Sequence, residues 1–243
     1  ITESHRSADG ATNICVVQKP AGRSLKGNQM STRTTIFVSV TLIASAVLAG
    51  LLLWSRLPDP MPGHWNAAGE IDGYISKFWG VFLLPIISIA LTGLFLIIPR
   101  IDPLKANIAQ FRAAFNWFIV AFVVYILYLY ILTLLAALGT LFNMTLMLLP
   151  AVGLLFIGIG YLMSGAKRNF FIGIRTPWTL SSDTVWDKTH KLGSRLFMLG
   201  GVVTILCAFL GESGIWIMLV AMLGASFVPI VYSYVLYQRE TKS

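Results

Sequence analysis

Charged residues are scarce in this chain of 243 residues, and six long segments contain none at all. Only 12% of the residues are Asp, Glu, Lys or Arg, whereas 56% are hydrophobic. The charged fraction is about half of what a soluble domain carries. This composition excludes an ordinary soluble globular protein and favours a polytopic protein folded in lipid.

Cysteine and histidine are also rare, and their positions exclude several kinds of site. Cys15 and Cys207 provide no spacing for a disulfide framework or a zinc site. His5, His64 and His190 are too far apart along the chain to predict a metal cluster. The sequence also lacks an HExxH zinc-protease motif and a Ser or Cys nucleophile signature. We therefore expect no catalytic residue, no metal and no cofactor.

Each of the six segments without Asp, Glu, Lys, Arg or His is predicted to cross the membrane as a helix. A helix needs about 20 residues to span a hydrocarbon core of about 30 Å. The fifth segment is short, but it can extend backward to Leu192 if Arg195 snorkels to the headgroups. The segments are 35–54, 78–98, 117–138, 146–163, 196–210 and 215–237. They predict an all-α protein with six transmembrane helices.

Lysine and arginine alternate between the connections of these helices. The two tails and the connections 99–116 and 164–195 hold 16 of these residues, and the other connections hold only Arg56 and Lys77. Basic residues concentrate in cytoplasmic connections, so both termini are predicted to be cytoplasmic. The net charge of +8 thus reflects topology, and we expect the bilayer as a partner and no direct contact with nucleic acid.

The chain divides into a polar tail and two halves. Residues 1–29 are polar and without hydrophobic periodicity, so they are predicted to be a disordered tail, dispensable or not native, with Met30 as the true start. Residues 30–145 form a half of three helices with an outer loop at 55–77. Residues 146–243 form the second half, with an inner loop at 164–195.

The outer loop holds a cluster of polar side chains. Its prolines and glycines predict an ordered connector rather than a flexible linker. His64, Asn66, Glu70 and Asp72 provide the polar groups. They could bond the loop to itself, or His64 and Glu70 could act as acid and base, or these two could hold a cation together with Asp72.

The inner loop contains a proline turn followed by an amphipathic segment. Pro177 predicts an extended residue before it, and Ser181 or Ser182 predicts a helix N-terminus. An apolar stripe then recurs at helical spacing in Val185, Thr189, Leu192 and Leu196. These features predict a short amphipathic helix before the fifth span. Its role is either to hold the inner leaflet through Trp186 and its basic neighbours or to dock a protein.

At these two loops the sequence resembles the SdpI family, membrane proteins that include an immunity protein against a sporulation-delaying peptide toxin. The outer loop, similar to the family's N-terminal domain of unknown function, reads LPDPMPGHWNAAGEIDGYISK. The inner loop, similar to its C-terminal signature, reads NFFIGIRTPWTLSSDTVWDKTHKLG. The resemblance extends from about Met30 to the end of the chain.

The resemblance implies a multi-pass protein of the bacterial cytoplasmic membrane that gives resistance to a membrane-active peptide toxin. It further implies a receptor that holds a cytosolic transcriptional repressor at the membrane when toxin is present. The toxin-facing outer motif would comprise His64, Asn66, Gly69, Glu70 and Asp72. The inner signature motif would comprise Arg175, Thr176, Pro177, Trp178, Trp186 and His190.

Two other functions remain as alternatives. A lipid or peptide carrier or flippase is compatible with proline-kinked helices, and an outward-facing enzyme would use His64, Glu70 and Asp72. The predicted spans contain no ionisable group of the kind that ion-coupled carriers and proton pumps place at membrane depth. We therefore prefer a non-enzymatic immunity and signalling protein.

Overall fold

The computed structural model describes residues 30–242, and the predicted tail at 1–29 lies outside the described residues. It contains six helices that are long and apolar enough to cross a membrane, as predicted. The spans are Thr32–Arg56, Lys77–Ile101, Arg112–Ala137, Met144–Gly165, Asp183–Leu210 and Glu212–Glu240. In lipid such helices satisfy their own backbone hydrogen bonds, which explains why long uncharged segments fold this way.

Eight helices and two strands make up the described chain. In the first part they are α1 Thr32–Leu53, β1 Met61–Trp65, β2 Ile71–Ile75, α2 Lys77–Ile101, α3 Lys105–Gln110 and α4 Arg112–Ala137. In the second part they are α5 Met144–Gly165, α6 Pro177–Ser181, α7 Asp183–Cys207 and α8 Glu212–Glu240. Short 3-10 turns, Trp54–Arg56 and Ala208–Leu210, follow α1 and α7.

The spanning helices pack in two groups of three. Helices α1, α2 and α4 contact one another and form the first bundle, and α5, α7 and α8 form the second bundle. Many large apolar side chains face outward, among them Phe37, Val220 and Phe227. An exposed apolar surface of this extent fits a protein surrounded by lipid.

Glycines let α5 and α7 approach closely. A Cβ atom added to Gly153 would lie 2.5 Å from the carbonyl oxygen of Gly201, and one added to Gly160 would lie 2.7 Å from that of Ser194. Gly158 differs, because a Cβ atom there would meet nothing within 4 Å. Small residues at a helix contact are the usual means of close packing in membranes.

Hydrogen bonds at the helix ends define two faces of the protein. Asn116 Nδ2 donates to Met30 O at 2.9 Å, and Asn107 Nδ2 donates to Arg168 O at 2.8 Å. Met30, the α2–α4 connection and the loop 166–182 therefore lie on one face, which we call the signature face. The opposite face carries β1 and β2, and we call it the hairpin face.

Two expectations from the sequence need correction in detail. The fold is mostly helical, but the loop at 55–77 contains an antiparallel hairpin of β1 and β2. Residues 183–195 do not form a separate amphipathic helix. They are the first turns of α7, which continues without a break from Asp183 to Cys207 because no proline interrupts it. Ser182 caps its N-terminus, accepting a bond from Val185 N at 3.2 Å.

Candidate functional site

A tight turn closes the hairpin on the hairpin face. Asn66 O accepts a hydrogen bond from Gly69 N, and Asn66 N donates to Glu70 O, both at 2.9 Å. Gly69 has a φ of 84°, a conformation that glycine adopts without strain. The turn therefore accounts structurally for Asn66 and Gly69 of the predicted outer motif.

The remaining polar residues of the outer motif are paired within the hairpin. His64 Nδ1 lies 2.6 Å from Asp72 Oδ1, and Asn66 Nδ2 donates to Glu70 Oε2 at 3.3 Å. Glu70 N also donates to Asn66 Oδ1 at 3.0 Å. The structure thus brings His64 together with Asp72, and it does not form the His64–Glu70 pair that an acid–base reaction would need. Within residues 30–242 no group of three or more His, Cys, Asp and Glu could hold a metal ion.

The base of the hairpin is fixed to the first bundle. Met61 is fully buried and belongs to a core cluster with Leu57, Val81 and Tyr130. A Cβ atom added to Gly80 would lie 2.7 Å from the Met61 sulfur, so a larger residue there would require the buried Met61 side chain to shift.

The tip of the hairpin is fixed to the second bundle. Asn143 Nδ2 donates to Ala68 O at 2.7 Å, and Thr145 Oγ1 donates to Ala67 O at 3.0 Å. Met144 N also donates to Gly69 O at 3.2 Å. Asn143 and Thr145 were not among the residues singled out from the sequence. Because Asn143 directly precedes an apolar segment, the sequence could have predicted it as a helix cap. The sequence gives no indication of its contact with Ala68, which is 75 residues away.

The loop 166–182 on the signature face, which we call the signature loop, folds around Asn169. This side chain is fully buried, and its Nδ2 donates to Lys167 O at 2.8 Å and to Ile172 O at 3.0 Å. Its Oδ1 accepts from Phe171 N at 2.9 Å and from Ile172 N at 2.6 Å. The amide is therefore satisfied entirely by backbone groups and holds the turn in one conformation.

A buried carboxylate joins this loop to the first bundle. Asp102 is 2% exposed, and its two oxygens accept bonds from Leu104 N at 2.6 Å and from Phe170 N at 2.9 Å. Sequence reasoning did not single out Asp102 or Asn169, because each acts through backbone groups that no motif reveals.

Trp186 and His190 form the centre of the contact between the signature loop and α7. Their rings stack with centroids 3.9 Å apart, and Trp186 Nε1 donates to Ala166 O at 2.8 Å. His190 Nδ1 donates to Trp186 O at 2.9 Å, and Nε2 accepts from Ile174 N at 3.0 Å. The interpretation that Trp186 lies among lipid headgroups is wrong. It is fully buried because the signature loop folds back over this side of α7.

The rest of the signature motif forms α6 and its contact with α8. Thr176 caps α6 in a reciprocal arrangement with Thr179, and Pro177 occupies the first turn. Trp178 Nε1 donates to Ser233 Oγ, and its ring meets Tyr234 edge to face at 5.3 Å. Arg175 is exposed, with Nη1 donating to Phe170 O at 2.8 Å.

The two bundles contact each other on the signature face and leave a groove elsewhere. The apolar contact comprises Ile98, Ile108, Phe111, Phe115, Ile119, Leu162, Ala166 and Ile172. A groove of about 890 Å³ lies between α4 and α5, lined mainly by apolar side chains and by Tyr125, Tyr128 and Tyr161. Near the hairpin face Tyr128 OH donates to Met147 O at 2.9 Å. The bundles are thus joined at both faces and separated along part of their length.

Comparison with known proteins identifies relatives of both loops. Residues 166–233 match the SdpI/YfhL protein family, and residues 41–89 match a domain of unknown function, DUF1648. The immunity protein SdpI of Bacillus subtilis (strain 168) is 29% identical over 203 residues, which are 83% of this chain and 95% of that protein. No solved structure gives a significant match.

Proposed function

Since these matches confirm the predicted resemblance to the SdpI family, we propose that the chain is an integral membrane immunity protein that protects a bacterium against a membrane-active peptide toxin. The proposal rests on the position of the hairpin. It lies on the hairpin face of the protein, its base packs against the first bundle, and its tip is bonded to the second bundle. A peptide that binds the hairpin therefore acts on both bundles together.

The hairpin has exposed side chains with the chemistry to bind an amphipathic peptide. Tyr74 is 61% exposed and Ile71 is 39% exposed, so both offer apolar surface. The side chains of His64 and Asp72 are 73% and 42% exposed and form a polar pair. Exposed apolar residues beside polar groups are typical of protein-binding surfaces.

The proposal places the hairpin face outside the cell and the signature face in the cytoplasm. Within residues 30–242 the connections on the signature face hold 12 Lys and Arg residues, and those on the hairpin face hold only Arg56 and Lys77. This asymmetry supports cytoplasmic termini. A toxin arriving from outside would then meet His64, Asp72 and Tyr74 first.

A second part of the proposal is that toxin binding is transmitted to a cytosolic repressor through α5. The first residues of α5 hold the hairpin tip, and Ala166, directly after its last residue, accepts the bond from Trp186. A helix of 22 residues is a direct mechanical link between the two faces. Toxin would favour one packing of the bundles, and that packing would change how Arg175, Lys188 and Lys191 are presented to a repressor.

The test is protection of a sensitive strain that expresses the chain. We expect that cells expressing the chain need a higher concentration of the sporulation-delaying peptide, or of another membrane-active peptide, for half-maximal inhibition of growth than cells without it. Tyr74→Ala should remove most of this protection. Leu141→Ala is the matched control, because Leu141 is an exposed apolar residue on the same face outside the hairpin. Normal membrane insertion without protection against any peptide tested would contradict the proposal.

A lipid or peptide carrier is the second candidate, and the groove between α4 and α5 favours it. Flux measurements in proteoliposomes separate the two functions. An immunity receptor binds peptide without transporting it, whereas a carrier moves lipid or peptide across the bilayer. The proposal includes no catalytic step, and His64 and Glu70 have separate partners in the hairpin.

A further inference from the structure

A basic cavity of about 440 Å³ lies on the signature face of the first bundle, among α1, α2, α3 and α4. Arg100, Lys105 and Arg112 line it together with Thr32. Its other walls include the exposed side chain of Ile36 on α1 and the partly buried side chain of Leu96 on α2. The cavity therefore has a cationic floor at the membrane boundary and an apolar side toward the lipid.

The three cations lack acidic partners in the part of the chain that the structure describes. The ion pairs His64–Asp72, Lys167–Asp187 and Arg168–Asp183 do not include any of these three cations. The carboxylate of Asp102, between Arg100 and Lys105 in the sequence, accepts hydrogen bonds from the backbone N–H groups of Leu104 and Phe170. Arg100 and Arg112 line the same cavity, so their like charges repel each other. Such an arrangement is stabilised by an anion that binds between the cations.

Arg112 is held in place for such a ligand. Its side chain is half-buried, Nε donates to Thr32 Oγ1 at 3.3 Å, and the guanidinium lies 5.7 Å from the centre of the Phe115 ring. These contacts fix the guanidinium and use only one of its nitrogens. The planar arginine fork matches the oxygens of a phosphate group.

We propose that this cavity binds the phosphate headgroup of an anionic phospholipid from the surrounding leaflet. A phospholipid uses both parts of the site, because its phosphate meets Arg100, Lys105 and Arg112 while its acyl chains lie along Ile36 and Leu96. A soluble phosphate would use the cations alone. Basic pockets between transmembrane helices are known to hold lipid headgroups. The inference does not depend on a toxin or on a repressor.

The experiment measures lipid binding to the purified full chain in detergent, with phosphatidylglycerol as the probe. Native mass spectrometry counts bound lipid, and a titration followed by melting temperature gives the apparent affinity. R100Q/R112Q should lower the affinity about 25-fold, since each of the two basic residues contributes about fivefold near an anionic lipid. The control is R239Q/K242Q, which removes two exposed charges at the C-terminal end of α8, outside the cavity, and should leave the affinity unchanged.

A competition experiment distinguishes a lipid headgroup from free phosphate, and a second double variant replaces the first if the first does not fold. Phosphatidylcholine and inorganic phosphate at equal concentration should neither shift the melting temperature nor displace phosphatidylglycerol. If R100Q/R112Q does not fold, R100Q/K105Q tests the same point while the Arg112–Thr32 bond remains. Retention of full affinity by the cavity variants, an equal loss in R239Q/K242Q, or displacement by inorganic phosphate would each overturn the proposal.

Discussion

Asn143 holds the hairpin and caps α5 with the same side chain. Its Nδ2 donates to Ala68 O at 2.7 Å, while its Oδ1 accepts from Leu146 N at 2.9 Å. One amide thus joins the hairpin tip of the first half to the helix that leads toward the signature loop. Any movement of the hairpin tip is therefore transmitted to the first turn of α5.

Replacement of Asn143 separates these two roles. Asn143→Ala should lower the stability of the protein by about 1–2 kcal/mol, because both the cap and the hairpin bond are lost. Asn143→Ser keeps a capping oxygen but is too short to reach Ala68, so it should lose less stability. Thermal unfolding in detergent measures both effects. Equal stability of Asn143→Ala and the wild type would contradict the assigned contacts.

Trp186 should behave as a residue of the protein interior rather than of the lipid interface. Trp186→Phe keeps an aromatic ring against His190 but removes the donor to Ala166 O, leaving a buried carbonyl without this bond. We expect a loss of about 1–3 kcal/mol in thermal unfolding. The difference in fluorescence between the wild type and this variant should resist quenching by brominated lipids. Strong quenching of that difference signal would place Trp186 at the lipid boundary.

The proposed orientation predicts which face can be labelled from outside the cell. In a background with Cys15 and Cys207 replaced by alanine, Leu141→Cys reports on the hairpin face, where Leu141 is 97% exposed. Lys188→Cys reports on the signature face from an exposed position of α7. A membrane-impermeant maleimide should label Leu141→Cys in intact cells and Lys188→Cys only after lysis. The reverse pattern would show that the termini are outside.

The spans could be predicted from the sequence because their length follows from bilayer thickness. A helix start at Ser181 or Ser182 could be predicted because a cap is a local contact, and the structure shows that Ser182 makes it. The contacts that build the two loops act over long separations. Asp102 reaches Phe170 across 68 residues and Asn143 reaches Ala68 across 75. The burial of Trp186 could not be predicted either, since the apolar stripe of α7 does not reveal that the signature loop covers it. Periodicity reports which side of a helix is apolar but not what lies against it.

Close packing of α5 on α7 predicts a sharp difference between two glycines of the same helix. Gly153→Ala would place a Cβ atom 2.5 Å from Gly201 O, and because that atom belongs to the backbone, the helices must separate. We expect a loss of about 1–3 kcal/mol and a lower melting temperature. Gly158→Ala is the matched control, because its Cβ atom would meet nothing within 4 Å and alanine favours the helix. If Gly153→Ala were as stable as Gly158→Ala, the close contact between α5 and α7 would be wrong, and with it the rigid link proposed to connect the two faces.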